Sequence, residues 1–192
     1  MANTTESAII LFGIKHSGKT TQGQMLADRL ECAFFDIDAV ITKQTGVSPR
    51  DLYTAGGPSA FMIAEETACR SIAEKYAGKV LVVSTGGGIC DNAPALNELR
   101  SIGTFVFLEV PENVAADRII RKMTAAEDGT LLNLPAYIAK KNPATEKDVR
   151  TIFHDFYTQR TASYKAISDV TVRLEDAPKE CNQKRILDAL AL

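Results

Sequence analysis

Residues 13–20 read Gly-Ile-Lys-His-Ser-Gly-Lys-Thr, the pattern G-x-x-x-x-G-K-[ST] in full. Each part answers a need of phosphate chemistry. Gly13 and Gly18 let the backbone curl so that successive N–H groups, through Ser17 to Thr21, converge on anionic oxygens. Lys19 has the charge to neutralise β- and γ-phosphates, and the Thr20 hydroxyl is a ligand for Mg2+. A helix opening near Thr20 adds the positive end of its dipole. The motif follows an apolar run and opens a helical pattern, which distinguishes a phosphate cradle from a glycine-rich turn with a surface lysine. Lys15 and His16, inside the loop, read as solvent-facing. No Asn/Thr-Lys-x-Asp sequence occurs, which argues against a GTPase, and no G-x-G-x-x-G follows the first apolar run, which argues against a dinucleotide site. The expected ligands are ATP and Mg2+.

Phosphoryl transfer also needs a carboxylate to orient the acceptor hydroxyl and take its proton, with oxygen ligands near the metal. Asp36 and Asp38, two apart at the end of an apolar run, are the candidates, turned to one side by strand periodicity. They would lie beside the phosphate loop if their strand neighbours the first. The ordinary alternative is a turn aspartate and a helix N-cap, with Asp38 capping a short helix Ala39–Thr45. Gly86-Gly87-Gly88 ends another apolar run; such a loop exposes its amides to a ligand or simply accommodates positive φ. Glu65 shares a helical stripe with Phe61, Ala68 and Ile72. A carboxylate there either faces the acceptor or pairs with Arg70 or Lys75 at the surface.

The elements that must position these residues follow from alternating patterns. Ala8–Phe12, Ala33–Phe35, Val80–Val83, Thr104–Leu108 and Val170–Leu174 read as strands, several continuously apolar as in a sheet covered on both faces. Helical stretches are expected over Thr21–Leu30, Ser59–Lys75, from Asp91 or Asn92 to Arg100, from Pro111 to Lys122, over Glu146–Ile167 and from Pro178. The alternation predicts βαβ units and a three-layer α/β domain with a parallel sheet, one domain over residues 1–192. A mixed charged, Gly/Pro-containing stretch at about 123–147 reads as a mobile excursion from the sheet.

Net charge is −2, with no basic run, so a small molecule rather than nucleic acid or an anionic membrane is the expected partner. Cys32, Cys69, Cys90 and Cys181 form no C-x-x-C pair, and only two histidines are present, which argues against a zinc site and for a reducing, cytoplasmic setting. Met1–Ser7 is short and polar, which predicts no signal peptide, and no apolar run is long enough for a membrane span.

The phosphate loop continuing as G-K-T-T, then D-x-D, then an apolar strand running into G-G-G, resembles the shikimate kinase family over nearly the whole chain. Gln159–Tyr164 is similar to the family's R-x-P-L-Y segment, and Leu108-Glu109 to its fourth strand ending. The resemblance implies a P-loop kinase fold with a central five-stranded parallel sheet and a helical lid, and usually a monomer. It implies a transferase that converts shikimate to shikimate 3-phosphate for aromatic amino acid biosynthesis. Under it, Asp38 binds and activates the acceptor hydroxyl and Asp36 holds Mg2+ through water. Arg118 packs against adenine. Gly86, Gly87, Gly88 and Arg160 contact the acceptor, Arg160 through its carboxylate.

The chain departs from the family's pattern in three places. Met62 stands where the family has an arginine that grips the acceptor carboxylate, and a thioether cannot replace a bidentate guanidinium. The lid's R-P-L-L reads Gly129-Thr-Leu-Leu132, without its ATP-facing arginine; Arg121, Lys122, Lys140 and Lys141 are the nearby cations. His16 replaces a glycine common in the loop. These changes leave two other readings open, a kinase acting on another sugar acid or polyol and a nucleotide-binding module without transfer.

Overall fold

The computed structural model describes residues 7–192, so the reading of Met1–Ser7 falls outside it except for Ser7. The expected parallel sheet forms from β1 (Ala8–Phe12), β2 (Ala33–Asp36), β3 (Leu81–Ser84), β4 (Gly103–Glu109) and β7 (Val170–Arg173), in the order β2-β3-β1-β4-β7. Helices flank it in a three-layer α/β arrangement: α1 (Lys19–Leu30), α2 (Ile37–Thr45), α3 (Pro49–Tyr76), α4 (Ala93–Arg100), α5 (Glu112–Ile120), α7 (Glu146–Ile167) and α8 (Lys179–Leu190). The apolar runs of β1 and β3 are buried throughout, which is what strands with helices on both faces require. Phe12, Phe105, Phe107 and Tyr164 interlock as edge-on and stacked rings at the centre of this core.

Register aligns the chemistry. Leu11 pairs with Ser84, and Ser84 with Asp36, so β1, β3 and β2 end in one row at their carboxyl edge. The loops that leave this row carry the phosphate motif, the three glycines and the aspartates. A crevice outside the carboxyl ends of parallel strands is where such folds place ligands.

Several local readings need correction. β2 does not neighbour β1, because β3 lies between them. Asp38 is not on a strand and does not cap a helix; Asp36 ends β2 and is itself the N-cap of α2, accepting from the amides of Asp38 and Ala39. α3 begins at Pro49, capped by Ser48, ten residues before the expected start. It bends at Gly57, whose φ of 72° breaks the helical path before Pro58 restarts it. The segment after α5 is helical in only four residues, α6 (Ala136–Ala139). Its first half is a short antiparallel hairpin, β5 (Thr124–Ala125) with β6 (Leu131–Leu132), turning at Gly129. By contrast α7 has the expected bounds, set by a Thr145/Asp148 capping box.

Candidate active site

Gly13 must be glycine for a steric reason. A Cβ there would lie 2.8 Å from the Leu108 carbonyl oxygen, and φ is 150°. α1 starts directly behind the loop with no side-chain cap and no acidic residue in its first turn, leaving its amides to an anion. The Lys19 ammonium sits inside the loop, donating to the carbonyls of Gly13 and Ile14, each at 2.9 Å. Desolvation pulls it down to about 8, against the raising pull of Asp38 and Asp36. His16 occupies a left-handed φ of 66°, which explains why glycine suits that position better, and its carbonyl accepts from Arg118. Burial, followed by Lys122, Lys15, Lys19 and Arg118, drives His16 down to about 4, so it adds no charge near neutral pH.

Asp36 reaches the loop although its strand is two places away. Thr20 Oγ1 donates to Asp36 Oδ2 at 2.9 Å. A hydroxyl and a carboxylate oxygen side by side are hard donors suited to Mg2+, which keeps most of its shell as water and phosphate. Among the described residues no cluster of three His, Cys, Asp or Glu side chains could hold a metal alone, so this oxygen pair is the fitting place. Asp38 lies beyond it. Desolvation in the cleft and then the Asp36 carboxylate push Asp38 upward, while Lys19 and Lys15 oppose.

Gly86 lies between two carboxylates: a Cβ there would be 3.4 Å from both Asp38 Oδ1 and Glu65 Oε1. The amides of Gly86, Gly87 and Gly88 donate to no protein acceptor among the described residues, and Tyr164 holds the loop through the Gly87 carbonyl. Glu65 is fully buried, which excludes the surface pairing with Arg70 or Lys75. Arg70 pairs instead with Glu66 and Glu98. Glu65 Oε2 accepts from Asn92 Nδ2 at 2.9 Å, whereas Oε1 has no partner. Desolvation raises Glu65 to about 7, opposed by the Asn92 hydrogen bond and reinforced by Asp38 and Asp91.

That shift makes stability depend on pH. Below about 4.5 Glu65 is protonated in both states. Between 4.5 and 7 the unfolded chain releases the proton while the folded chain keeps it, so stability falls as pH rises. Over that window Glu65→Gln should gain about 3 kcal/mol relative to the wild type, measured by urea unfolding at pH 4.5 and pH 8. Parallel loss in both proteins would contradict the assignment.

These pieces meet in one cavity of about 540 Å3. Lys19, Thr20, Asp36 and Asp38 line one part, and Gly86, Gly87, Gly88 and Arg160 another. Arg160 pairs with Asp91 and touches the Cys90 sulfur. Ser17, Gly18, Thr21 and Arg118 line a second, smaller cavity of about 170 Å3 behind the loop, closed by Leu174 and Asn182. The predicted adenine-side residue Arg118 and the acceptor-side residues therefore line different cavities. Lys15 and His16, expected to face solvent, also border the large cavity, Lys15 exposed and His16 half-buried. Met62 is half-buried and does not line it. Sequence reading missed Tyr53, Tyr137 and Phe156, which line the same cavity from α3, the lid and α7. Nothing local in the sequence marks them, because the fold-back of the lid is what brings them together.

A family model described as shikimate kinase matches residues 15–191. A shikimate kinase of Aquifex aeolicus (strain VF5) is 30% identical over 179 residues, spanning 93% of this chain and 94% of the relative. One of Colwellia psychrerythraea (strain 34H / ATCC BAA-681) is 28% identical, covering 95% of both chains. The solved shikimate kinase of Acinetobacter baumannii, in complex with shikimate, superposes with a TM-score of 0.75 at 25% identity, covering 99% of this chain and 96% of that one. With the family match spanning nearly its whole length and the five-stranded parallel sheet that the resemblance implied present, this chain belongs to the shikimate kinase family.

Proposed function

We propose that the protein transfers the γ-phosphate of ATP to a hydroxyl of shikimate, giving shikimate 3-phosphate, in the cytoplasm and as a monomer. The observation that carries this reading is the single cleft in which the phosphate loop, two aspartates, three free glycine amides and Arg160 meet. One chain supplies every one of these groups, and its four cysteines are all free, as a reducing compartment keeps them. No helix among the described residues is long and apolar enough to cross a membrane.

Lys19 and the loop amides bind the phosphates, and the uncapped start of α1 faces the charge that develops in transfer. Thr20 and Asp36 would hold Mg2+, which when bound neutralises phosphate charge and is the proposed metal cofactor. Asp38 orients the acceptor hydroxyl and takes its proton. Its raised proton affinity suits that role better than an ordinary surface aspartate's. Arg118 borders the smaller cavity beside Ser17, Gly18 and Thr21, where the nucleotide base belongs. Gly86, Gly87 and Gly88 donate to acceptor oxygens, Arg160 meets its carboxylate, and Glu65 backs Gly86 against Asp38.

The test is coupled ADP release with Mg-ATP and shikimate, against gluconate and against no acceptor. Saturable release with shikimate alone is expected, and removal of Mg2+ with EDTA should abolish it. Met62 favours one second reading, a different carboxylated polyol as acceptor. ATP binding with no response to shikimate would select that reading.

A further inference from the structure

The short lid helix α6 brings to the large cavity two side chains that no motif in the sequence contains. Tyr137 stacks on Phe156 of α7, with centroids 3.7 Å apart and planes 12° from parallel. Arg160, one turn further along α7, has its guanidinium 5.3 Å from the centre of the same Phe156 ring. The Tyr137 hydroxyl is buried at the cavity and has no hydrogen-bond partner. At the other end of this helical turn, the Lys140 ammonium lies 5.4 Å from the centre of the Tyr53 ring. Tyr53 packs edge-on against Phe61, the residue before Met62. Among the described residues Lys140 makes no ion pair, whereas Arg160 is already held by Asp91.

We propose that Lys140 and Tyr137 bind the acceptor, Lys140 giving its carboxylate the positive charge that Met62 does not provide. The proposal rests on the kinase reading above. A carboxylate entering a partly desolvated cleft needs a cation or several donors. Lys19 is committed to the phosphate side, and the charge of Arg160 is shared with Asp91 before any ligand arrives. From the lid, Lys140 reaches the Tyr53 ring, which packs on Phe61, the residue before Met62. The Tyr137 hydroxyl bears a desolvation cost that an acceptor oxygen would relieve. A lysine is a point charge rather than a planar fork, so recognition here is less bidentate and more dependent on lid closure than with an arginine fixed on a long helix.

The experiment compares wild type with Lys140→Ala, Lys140→Arg and Tyr137→Phe, measuring KM for shikimate and for ATP separately and nucleotide binding by calorimetry. Lys140→Ala should raise the shikimate KM roughly 10- to 100-fold, the range of a charged hydrogen bond, while the ATP KM moves less than about 3-fold. Lys140→Arg should recover most of the loss, and Tyr137→Phe should cost about 5-fold. Added salt should weaken shikimate binding to the wild type more than to Lys140→Ala. Unchanged shikimate KM in Lys140→Ala, with nucleotide binding intact, would overturn the assignment. A rise in the ATP KM instead would overturn it too, placing the lysine on the nucleotide. If the wild type itself shows no shikimate-dependent turnover, the shikimate reading falls and this assignment with it.

Discussion

Asp38→Asn is expected to lower kcat with shikimate by about 10^3-fold while ATP affinity stays within about 2-fold of the wild type, because a general base contributes to transfer and not to nucleotide binding. The geometry separates the two effects. Asp38 makes no hydrogen bond through its side chain to the phosphate loop; that contact belongs to Asp36, through Thr20. Asparagine keeps the size of the side chain and can still meet a hydroxyl, but it accepts no proton at neutral pH. Calorimetry for ATP and single-turnover rates for transfer divide the outcome cleanly. A variant that retained wild-type kcat would remove Asp38 from the mechanism.

Lys19→Met should show the opposite division. Its ammonium is enclosed by the loop, bonded to the carbonyls of Gly13 and Ile14 and close to the Ser17 hydroxyl. Removing it takes charge from both the bound phosphates and the transition state. The expected result is a loss of about 10^3-fold in kcat/KM for ATP, with weaker nucleotide binding contributing part of it. The fold should persist, since methionine fills the stem's place and Lys19, at the first position of α1, is not part of the hydrophobic core. A thermal melt within a few degrees of wild type would verify that, and unchanged kcat/KM for ATP would contradict the role. Because Lys19 is pulled down to about 8 by desolvation, ATP affinity should also weaken as pH rises through that value. The bound phosphates favour the protonated ammonium, so binding takes up a proton on the alkaline side.

The contrast between what sequence revealed and what it hid follows the range of the interactions. The phosphate loop, the capping box that starts α7 and the buried strands are local patterns, and each was legible because neighbouring residues determine them. The sequence shows Asp36 and Asp38 as a pair but not their geometry. A β2 aspartate that caps the next helix depends on the chain turning at residue 37, which alternation alone cannot reveal. The partner of Glu65 was also hidden. Asn92 is 27 positions away, and only the packing of α3 against α4 makes the contact. The lid was least legible. Its hairpin has two residues per strand and its helix a single turn, too short for any periodicity to register. For the same reason the stacking of Tyr137 on Phe156 and the approach of Lys140 to Tyr53 could only emerge from the folded chain.

The substitution at Met62 is where family membership and local chemistry pull apart. Belonging to the family assigns the fold and the use of ATP, while Met62 stands where the resemblance implies an arginine. The cleft still holds free glycine amides, Arg160 and the lid cation Lys140, the groups that the proposed acceptor would use. The most direct measurement is therefore of the product. The protein is incubated with Mg-ATP and shikimate, and the mixture is analysed by mass spectrometry and 31P NMR. One shikimate phosphate ester for each ADP formed, with no inorganic phosphate, is the expected result. ADP accompanied by inorganic phosphate and unaltered shikimate, or no ADP at all, would contradict phosphoryl transfer to shikimate.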